Sequence, residues 1–204
     1  MTYAGVPAFM IEFTGRVEVG LRRYVRHSDG WTCADGYHHA KAILGSATPV
    51  TGADGYIRGA YFAYPPHDDP RWPAKCDGCD YLFTAADEWQ NWQESQYRRA
   101  DTGAVTTIRD APPGAMWDAW WYPWKGPDGR SLVVKCPNGA EWTIDGRASN
   151  CALPDDTVHR CWVRHGEPPN ITVDKDGVTC AAGAGSIAAD DYHGFLQGGR
   201  FTDG

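Results

Sequence analysis

This sequence of 204 residues lacks the features of a membrane, secreted or nucleic-acid-binding protein. No apolar run approaches the length of a membrane span, and the first residues lack the basic and apolar regions of a secretion signal. Positive charge is scarce, because 19 Lys and Arg face 26 Asp and Glu, for a formal net charge of -7. Binding to phosphate backbones needs clustered positive charge. We therefore expect no nucleic acid and no membrane among the partners.

Internal repeats and low-complexity segments are also missing, whereas turn-forming residues are abundant. The chain has 24 Gly and 14 Pro, a density that suits many short strands joined by tight turns. We predict an α+β fold, mainly β, of short antiparallel strands and hairpins with one short helix. It would form a single compact domain over 1–204. Within it, 1–126 would be a loop-rich half stabilised by zinc, and 127–204 a small β half.

Two segments carry the clearest strand patterns. Residues 9–26 alternate apolar and polar positions over parts of their length, which predicts two short strands broken near Gly15 or Gly20. Farther along, Asn138-Gly139 lies between SLVVKC and AEWTID, and this dipeptide is typical of a tight hairpin turn. We therefore predict a β-hairpin around that dipeptide.

The predicted helix covers residues 84–99, TAADEWQNWQESQYRR. Thr84 can cap its first turn, and Asp87 occupies the matching position of a capping box. Trp89 and Trp92 would share one face of this helix, which we expect to pack into the core.

The seven cysteines predict a metal site better than a disulfide framework, because their number is odd and no secretion signal precedes them. Cys76-Asp77-Gly78-Cys79 has the spacing that lets two sulfurs face one tetrahedral ion. A lone pair of this kind is half a site, so the other ligands must come from elsewhere. The predicted ligands of a structural zinc are Cys33, His38, Cys76 and Cys79, with His39 or His67 as alternatives to His38. A cysteine-rich turn without metal, or a redox pair, is the alternative.

A second group of thiols lies in the C-terminal third of the chain. It comprises Cys151, Cys161 and Cys180, with His159 and His165 nearby in sequence. Its spacing matches no common metal motif, so the residue pattern favours buried small side chains.

Five aromatic residues crowd into a stretch of eight, and no helical or strand period buries all of them on one side. Large aromatic side chains are natural interface anchors, so this stretch predicts a subunit contact. A corner of the core and a platform for a sugar or peptide remain alternatives. The candidate interface residues are Trp117, Trp120, Trp121, Tyr122 and Trp124.

The segment CAAGAGSIAADDYHGFLQGG contains a candidate catalytic group. Gly183 and Gly185 precede a serine, and amides of such a turn could hold an oxyanion. The candidate residues are Ser186 as nucleophile, His193 as general base, and Asp190 or Asp191 as the group that orients the imidazole. A glycine-rich turn with an ordinary serine and histidine is the structural alternative.

Residues 159–200 resemble the C-terminal core of the BubE-type peptidases of bacterial ubiquitin-like conjugation operons. The Ser186-Ile187 step and the segment from Tyr192-His193 through Gly198-Gly199 follow the order of that family. Gly194 stands where the family has an aromatic residue. The resemblance implies a Ser/His peptidase.

A larger resemblance, over residues 60–200, is to uncharacterised proteins of tailed bacteriophages. The strings that carry it include HDDPRWPAKCDGCDYLFTAADEWQ, RDAPPGAMWDAWW and PNGAEWTIDGRASNC. The resemblance implies a phage gene product. We therefore expect a virion-associated protein, a capsid decoration or tail-associated subunit, located in the virion or the host cytoplasm. Its partners would be other phage structural subunits or copies of itself. The alternatives are a Ser/His hydrolase and a non-enzymatic binder of a host protein.

Overall fold

The computed structural model describes residues 5–26, 33, 36–156, 158–177, 180–182 and 185–204. Within these ranges the chain forms fourteen strands and no helix, which confirms the β-rich class. The strands are β1 Phe9–Arg26, β2 Tyr37–Ala47, β3 Pro49–Thr51, β4 Ile57–Ala60, β5 Glu88–Arg99, β6 Val105–Thr107, β7 Ala115–Asp118, β8 Leu132–Lys135, β9 Glu141–Thr143, β10 Val163–His165, β11 Thr172–Asp174, β12 Ile187–Ala189, β13 Tyr192–Gln197 and β14 Arg200–Asp203.

The chain divides into two compact units. The first comprises Met1–Glu12 and Tyr97–Gly204, and the second comprises Phe13–Gln96. Strands β1 and β5 therefore contribute residues to both units. The expectation of a single domain with halves 1–126 and 127–204 stays a prediction.

The core of the first unit surrounds β7 and β8, which are apolar on both faces. β7 pairs in parallel with the start of β1 and antiparallel with β8, which pairs with β9. Met116 and Val134 pack on one side of this sheet, whereas Trp117 and Val133 pack on the other. Burial on both faces explains why AMWD and LVVK are nearly continuous apolar runs rather than alternating ones.

Two smaller sheets complete the first unit. β10 pairs with β11, and β12, β13 and β14 form an antiparallel meander. Ile187, Leu196 and Phe201 of the meander belong to the same buried cluster as Met116. The face of the meander opposite that cluster is free to carry polar side chains, as alternation along a strand requires.

The hairpin at Asn138-Gly139 forms as predicted. β8 and β9 pair antiparallel, and Cys136 N donates to Ala140 O at 2.7 Å across the turn. Gly139 has a φ of +92°, a backbone conformation that favours glycine.

The predicted helix over 84–99 is wrong, since Glu88–Arg99 forms β5. The hydrogen bonds of the capping box are present: Thr84 N donates to the Asp87 carboxylate at 2.6 Å, and Asp87 N donates to Thr84 O at 3.1 Å. They close a turn from which the chain extends beside β1. Pairing with β1 supplies the backbone hydrogen bonds here, and the aromatic residues of this segment fit a strand well. Tertiary pairing therefore outweighs a weak local preference.

Residues 9–26 form one long strand rather than the two predicted. The interruption expected near Gly20 survives as a bulge, because the register with β2 shifts between Val19 and Gly20. A side chain at Gly20 would meet Ala42 O at 2.5 Å, so glycine is needed where the two backbones approach. The bulge at Gly20 interrupts the regular pairing of β1 with β2, but the strand continues beyond it.

A buried ion-pair network holds several loops of the first unit together. Arg164 donates to Asp145 through Nε at 2.8 Å and to Asp128 through both terminal nitrogens. The side chains of Arg164 and Asp145 are only 2% and 4% exposed. Burial raises the pKa of Asp145. Burial also opposes ionisation of Asp128, yet Arg164 and the contacts with Arg130 hold its pKa well below the usual range.

We predict that Arg164→Met destabilises the protein by about 3 kcal/mol, because it leaves a buried carboxylate without its partner. Urea denaturation measures the loss. The matched control is Arg58→Met, which breaks an exposed ion pair with Asp54 and should cost less than about 1 kcal/mol. An equal loss in the two variants would contradict a structural role for the buried network.

Candidate metal centres and candidate active site

The four zinc ligands predicted from the sequence meet at one point in the second unit. Cys33 precedes β2, His38 is on β2, and Cys76 and Cys79 lie in a turn much later in the chain. Their ligand atoms all lie within 4.8 Å of one another, and His38 and Cys76 are buried. We call this group the first cluster.

Backbone hydrogen bonds fix the turn that carries the two cysteines. Cys76 N donates to Tyr81 O at 2.9 Å, which closes the turn. The turn is also held against β2, because Asp77 N donates to His39 O at 2.9 Å and Lys41 N donates to the Asp77 carboxylate at 3.1 Å. The backbone that carries both cysteines is therefore held in place.

Two of three distances inside the first cluster match the edges of a tetrahedron around zinc, and the third is shorter. Zn–S bonds of about 2.3 Å and Zn–N bonds of about 2.0 Å separate two sulfurs by about 3.8 Å, and a sulfur from a nitrogen by about 3.5 Å. The sulfurs of Cys33 and Cys76 are 3.7 Å apart, and the Nδ1 atom of His38 lies 3.6 Å from Cys33 Sγ. The distance from His38 Nδ1 to Cys79 Sγ is 3.2 Å. The cluster could therefore bind a zinc-like metal ion.

Amide groups point at the sulfurs, as thiolate ligands require. Gly78 N donates to Cys76 Sγ at 3.4 Å, and Tyr81 N donates to Cys79 Sγ at 3.5 Å. The pKa of Cys33 is raised to about 12, mainly by burial and to a smaller extent by hydrogen bonds with the neighbouring thiols. Three thiolates this close together would repel one another, and a bound cation would balance their charge.

The structure places His38, rather than His39 or His67, beside the three cysteines. The ring of His38 stacks on Tyr81, with centroids 4.0 Å apart, while Nδ1 faces the sulfurs. His67 instead stacks on Trp89 at 5.0 Å, away from the cluster. His39 is the next residue along the strand, so its side chain leaves on the opposite face.

A second cluster of the same composition lies in the first unit. The ligand atoms of Cys151, His159, Cys161 and Cys180 also lie within 4.8 Å of one another. The sequence pattern favours buried small side chains here, because no two of these cysteines have the CxxC spacing. The fifth member of that group, His165, pairs with Asp174 at 3.0 Å instead.

The candidate catalytic pair is assembled by the hairpin of β12 and β13. The register pairs Ala188 with His193, so Ser186, two residues earlier, lies on the same side of the hairpin. Ser186 Oγ is 3.0 Å from His193 Nε2. A serine hydroxyl that donates to an imidazole nitrogen has the first contact needed for activation as a nucleophile.

The pair lines a cavity of about 470 Å³. Trp142 and Trp162 form part of its wall, with ring centroids 5.2 Å apart in an edge-to-face arrangement. Arg147 and Ser149 line another part. An aromatic wall facing polar side chains suits a small molecule or a side chain that has both apolar and polar parts.

The predicted aspartate of the catalytic group does not join the pair. Asp190 lies in the tight turn at the end of the hairpin with a φ of 50°, beyond the Ala189–Tyr192 pair. The Asp191 carboxylate accepts a hydrogen bond from Asn138 at 2.7 Å. In the described part of the chain, neither aspartate is hydrogen-bonded to His193. Gly183, one source of the predicted oxyanion hole, lies outside the described residues.

The aromatic stretch divides between core and surface. Trp117 is on β7 and only 1% exposed, so its assignment to an interface is wrong. Trp120 and Tyr122 are 41% and 37% exposed, and Trp121 and Trp124 are half-buried. Successive rings from Trp120 to Trp124 contact one another at centroid distances of 5.9 to 6.2 Å. We call these four residues the aromatic surface.

Comparison with known proteins assigns no family. No protein-family profile, curated protein or solved structure matches this chain. Among the described residues, no helix is long and apolar enough to cross a membrane.

Proposed function

We propose that the first cluster binds zinc, and that this zinc is structural. The observation that carries the proposal is the convergence of three sulfurs and one imidazole nitrogen within 4.8 Å. Four protein ligands leave no open position for water, which distinguishes a structural zinc from a catalytic one. The residues between β4 and β5 contain only an isolated bridge among the described residues, so a metal would add a crosslink where regular structure is sparse.

We predict that Cys76→Ser loses one zinc that the wild-type protein binds, because a serine hydroxyl is a poor zinc ligand. Native mass spectrometry gives the stoichiometry. The matched control is Cys136→Ala, since Cys136 is the one cysteine outside both clusters and should leave the zinc content unchanged. Wild-type and Cys76→Ser proteins with the same zinc content would contradict the proposal.

For the biological role, we propose a virion-associated accessory protein of a tailed phage. Two features support this role: the likeness of residues 60–200 to phage proteins, and the aromatic surface. Exposed, contiguous aromatic rings are the side chains that most often anchor protein contacts. In this account, Trp120 and Tyr122 contact a neighbouring subunit of the particle.

We predict tens of copies of the protein per particle, in proportion to the major capsid protein, as measured by quantitative peptide mass spectrometry of purified phage. Replacing Trp120 and Tyr122 by Ala should lower incorporation about tenfold or more, the effect of losing an interface anchor. The matched control is Tyr61→Ala, which removes an aromatic side chain that is 90% exposed elsewhere on the chain. Absence of the wild-type protein from particles would refute the virion role.

A second candidate function is hydrolysis by Ser186 and His193, favoured by their 3.0 Å contact at the cavity. As Ser186 Oγ attacks an acyl carbon, His193 Nε2 takes the hydroxyl proton and then gives it to the leaving group. Water then attacks the acyl group on Ser186, while His193 takes a proton from the water and returns it to Ser186 Oγ as the carboxylic acid leaves. The aromatic wall would hold an apolar side chain of an ester or peptide substrate.

We predict that a fluorophosphonate probe adds once to the wild-type protein and not to Ser186→Ala, as read from the intact mass. His193→Gln should slow the labelling about 100-fold, because it removes the general base. The matched control is Ser149→Ala, which removes another serine hydroxyl from the same cavity and should label normally. Equal labelling of wild-type and Ser186→Ala proteins would exclude this function.

A further inference from the structure

The second cluster has the geometry of a metal site, although the spacing of its residues in the sequence does not predict one. His159 Nε2 lies 3.1 Å from Cys180 Sγ and 3.7 Å from Cys161 Sγ, and the two sulfurs are 3.8 Å apart. Two of these three separations match the edges of a zinc tetrahedron, and the third is slightly shorter. His159 and Cys161 are buried, as are His38 and Cys76 in the first cluster.

Donors around the second cluster complement a charged metal complex. Leu153 N donates to Cys151 Sγ at 3.4 Å, which repeats the amide-to-sulfur contacts of the first cluster. Three thiolates and one neutral imidazole around Zn²⁺ carry one net negative charge. The ammonium group of Lys175 donates to Cys161 O at 2.7 Å and to Ala182 O at 2.6 Å. It therefore places a positive charge beside the cluster and ties two ligand-bearing segments together.

The same segments build the wall of the Ser186–His193 cavity. The lining stretch from Arg147 to Asn150 ends immediately before Cys151, and Trp162 follows Cys161. Arg147 donates to Leu153 O at 2.9 Å and to His159 O at 3.3 Å, so the lining is also bonded to the loop that carries a ligand.

We propose that the second cluster is a second structural zinc site, and that its zinc holds the wall of this cavity in place. The four ligands come from three separate stretches of the loop-rich region between β9 and β12. Short strands β10 and β11 are the regular structure there among the described residues. Ile171 and Val173 anchor this region in the main core, and the metal would crosslink the loops on either side of them. The site does not depend on whether Ser186 is a nucleophile.

The test is zinc stoichiometry by native mass spectrometry on the full chain. We expect two zinc ions in the wild-type protein, one in Cys180→Ser, one in Cys76→Ser and none in the double variant. Cys180→His should retain two, because a Cys₂His₂ set also binds zinc. A wild-type protein with a single zinc that Cys76→Ser loses and Cys180→Ser keeps would overturn the second site and leave the first intact.

Hydrogen exchange separates loss of the metal from general unfolding. In Cys180→Ser we expect amides of 145–151 and 159–162 to exchange at least tenfold faster, while amides of β2 and β5 keep wild-type rates. Cys180→His should restore the slow exchange. Unchanged exchange at the cavity wall in Cys180→Ser, with one zinc lost, would overturn the role of the zinc in holding the wall.

Discussion

Three sulfurs and one imidazole nitrogen converge at each of two points, and the described loops around those points contain little regular structure. The region that carries Cys76 and Cys79 buries few apolar side chains, with Trp72 and Cys76 among them. The region from Cys151 to Cys180 is equally poor in regular structure within the described residues. Loops of this length lose much conformational entropy on ordering. In our account zinc offsets that loss in both places.

In the first unit, a continuous apolar sheet and the loops that carry the second cluster are stabilised in different ways. β7 and β8 are buried on both faces and supply the core. The loops beyond them carry polar groups, namely the Arg164 network and the second cluster. Buried charges and thiols of this kind specify one arrangement of the loops, because each group has defined partners. The Ser186–His193 cavity lies where these loops meet the β12–β13 hairpin.

The sequence predicted the β-rich class, the hairpin at Asn138-Gly139 and the residues of the first cluster. These features have local signals, namely turn dipeptides and a CxxC pair with a spare cysteine and histidine nearby. The helix at 84–99 failed for the opposite reason. Its capping pair, Thr84 and Asp87, makes the expected local hydrogen bonds, but the backbone that follows is fixed by pairing with a strand far away in sequence. Local patterns contain no information on that partner.

The same limit explains why the sequence predicted neither the second cluster nor the burial of Trp117. Cys151, His159, Cys161 and Cys180 meet only after three loops fold, and no spacing rule links them. Trp117 is separated from the exposed Trp120 by two residues, yet β7 places it inside a two-sided core. The contact between Ser186 and His193 was within reach of sequence reasoning, because a short hairpin brings the two residues together. The orienting aspartate was not, since the turn places Asp190 at the hairpin end.

The most direct test of the account is X-ray absorption spectroscopy at the zinc edge on the wild-type protein. We predict a mean shell of three sulfurs at about 2.3 Å and one nitrogen at about 2.0 Å per zinc, as the two clusters require. A shell of nitrogen and oxygen atoms alone would place the metal elsewhere and contradict the account.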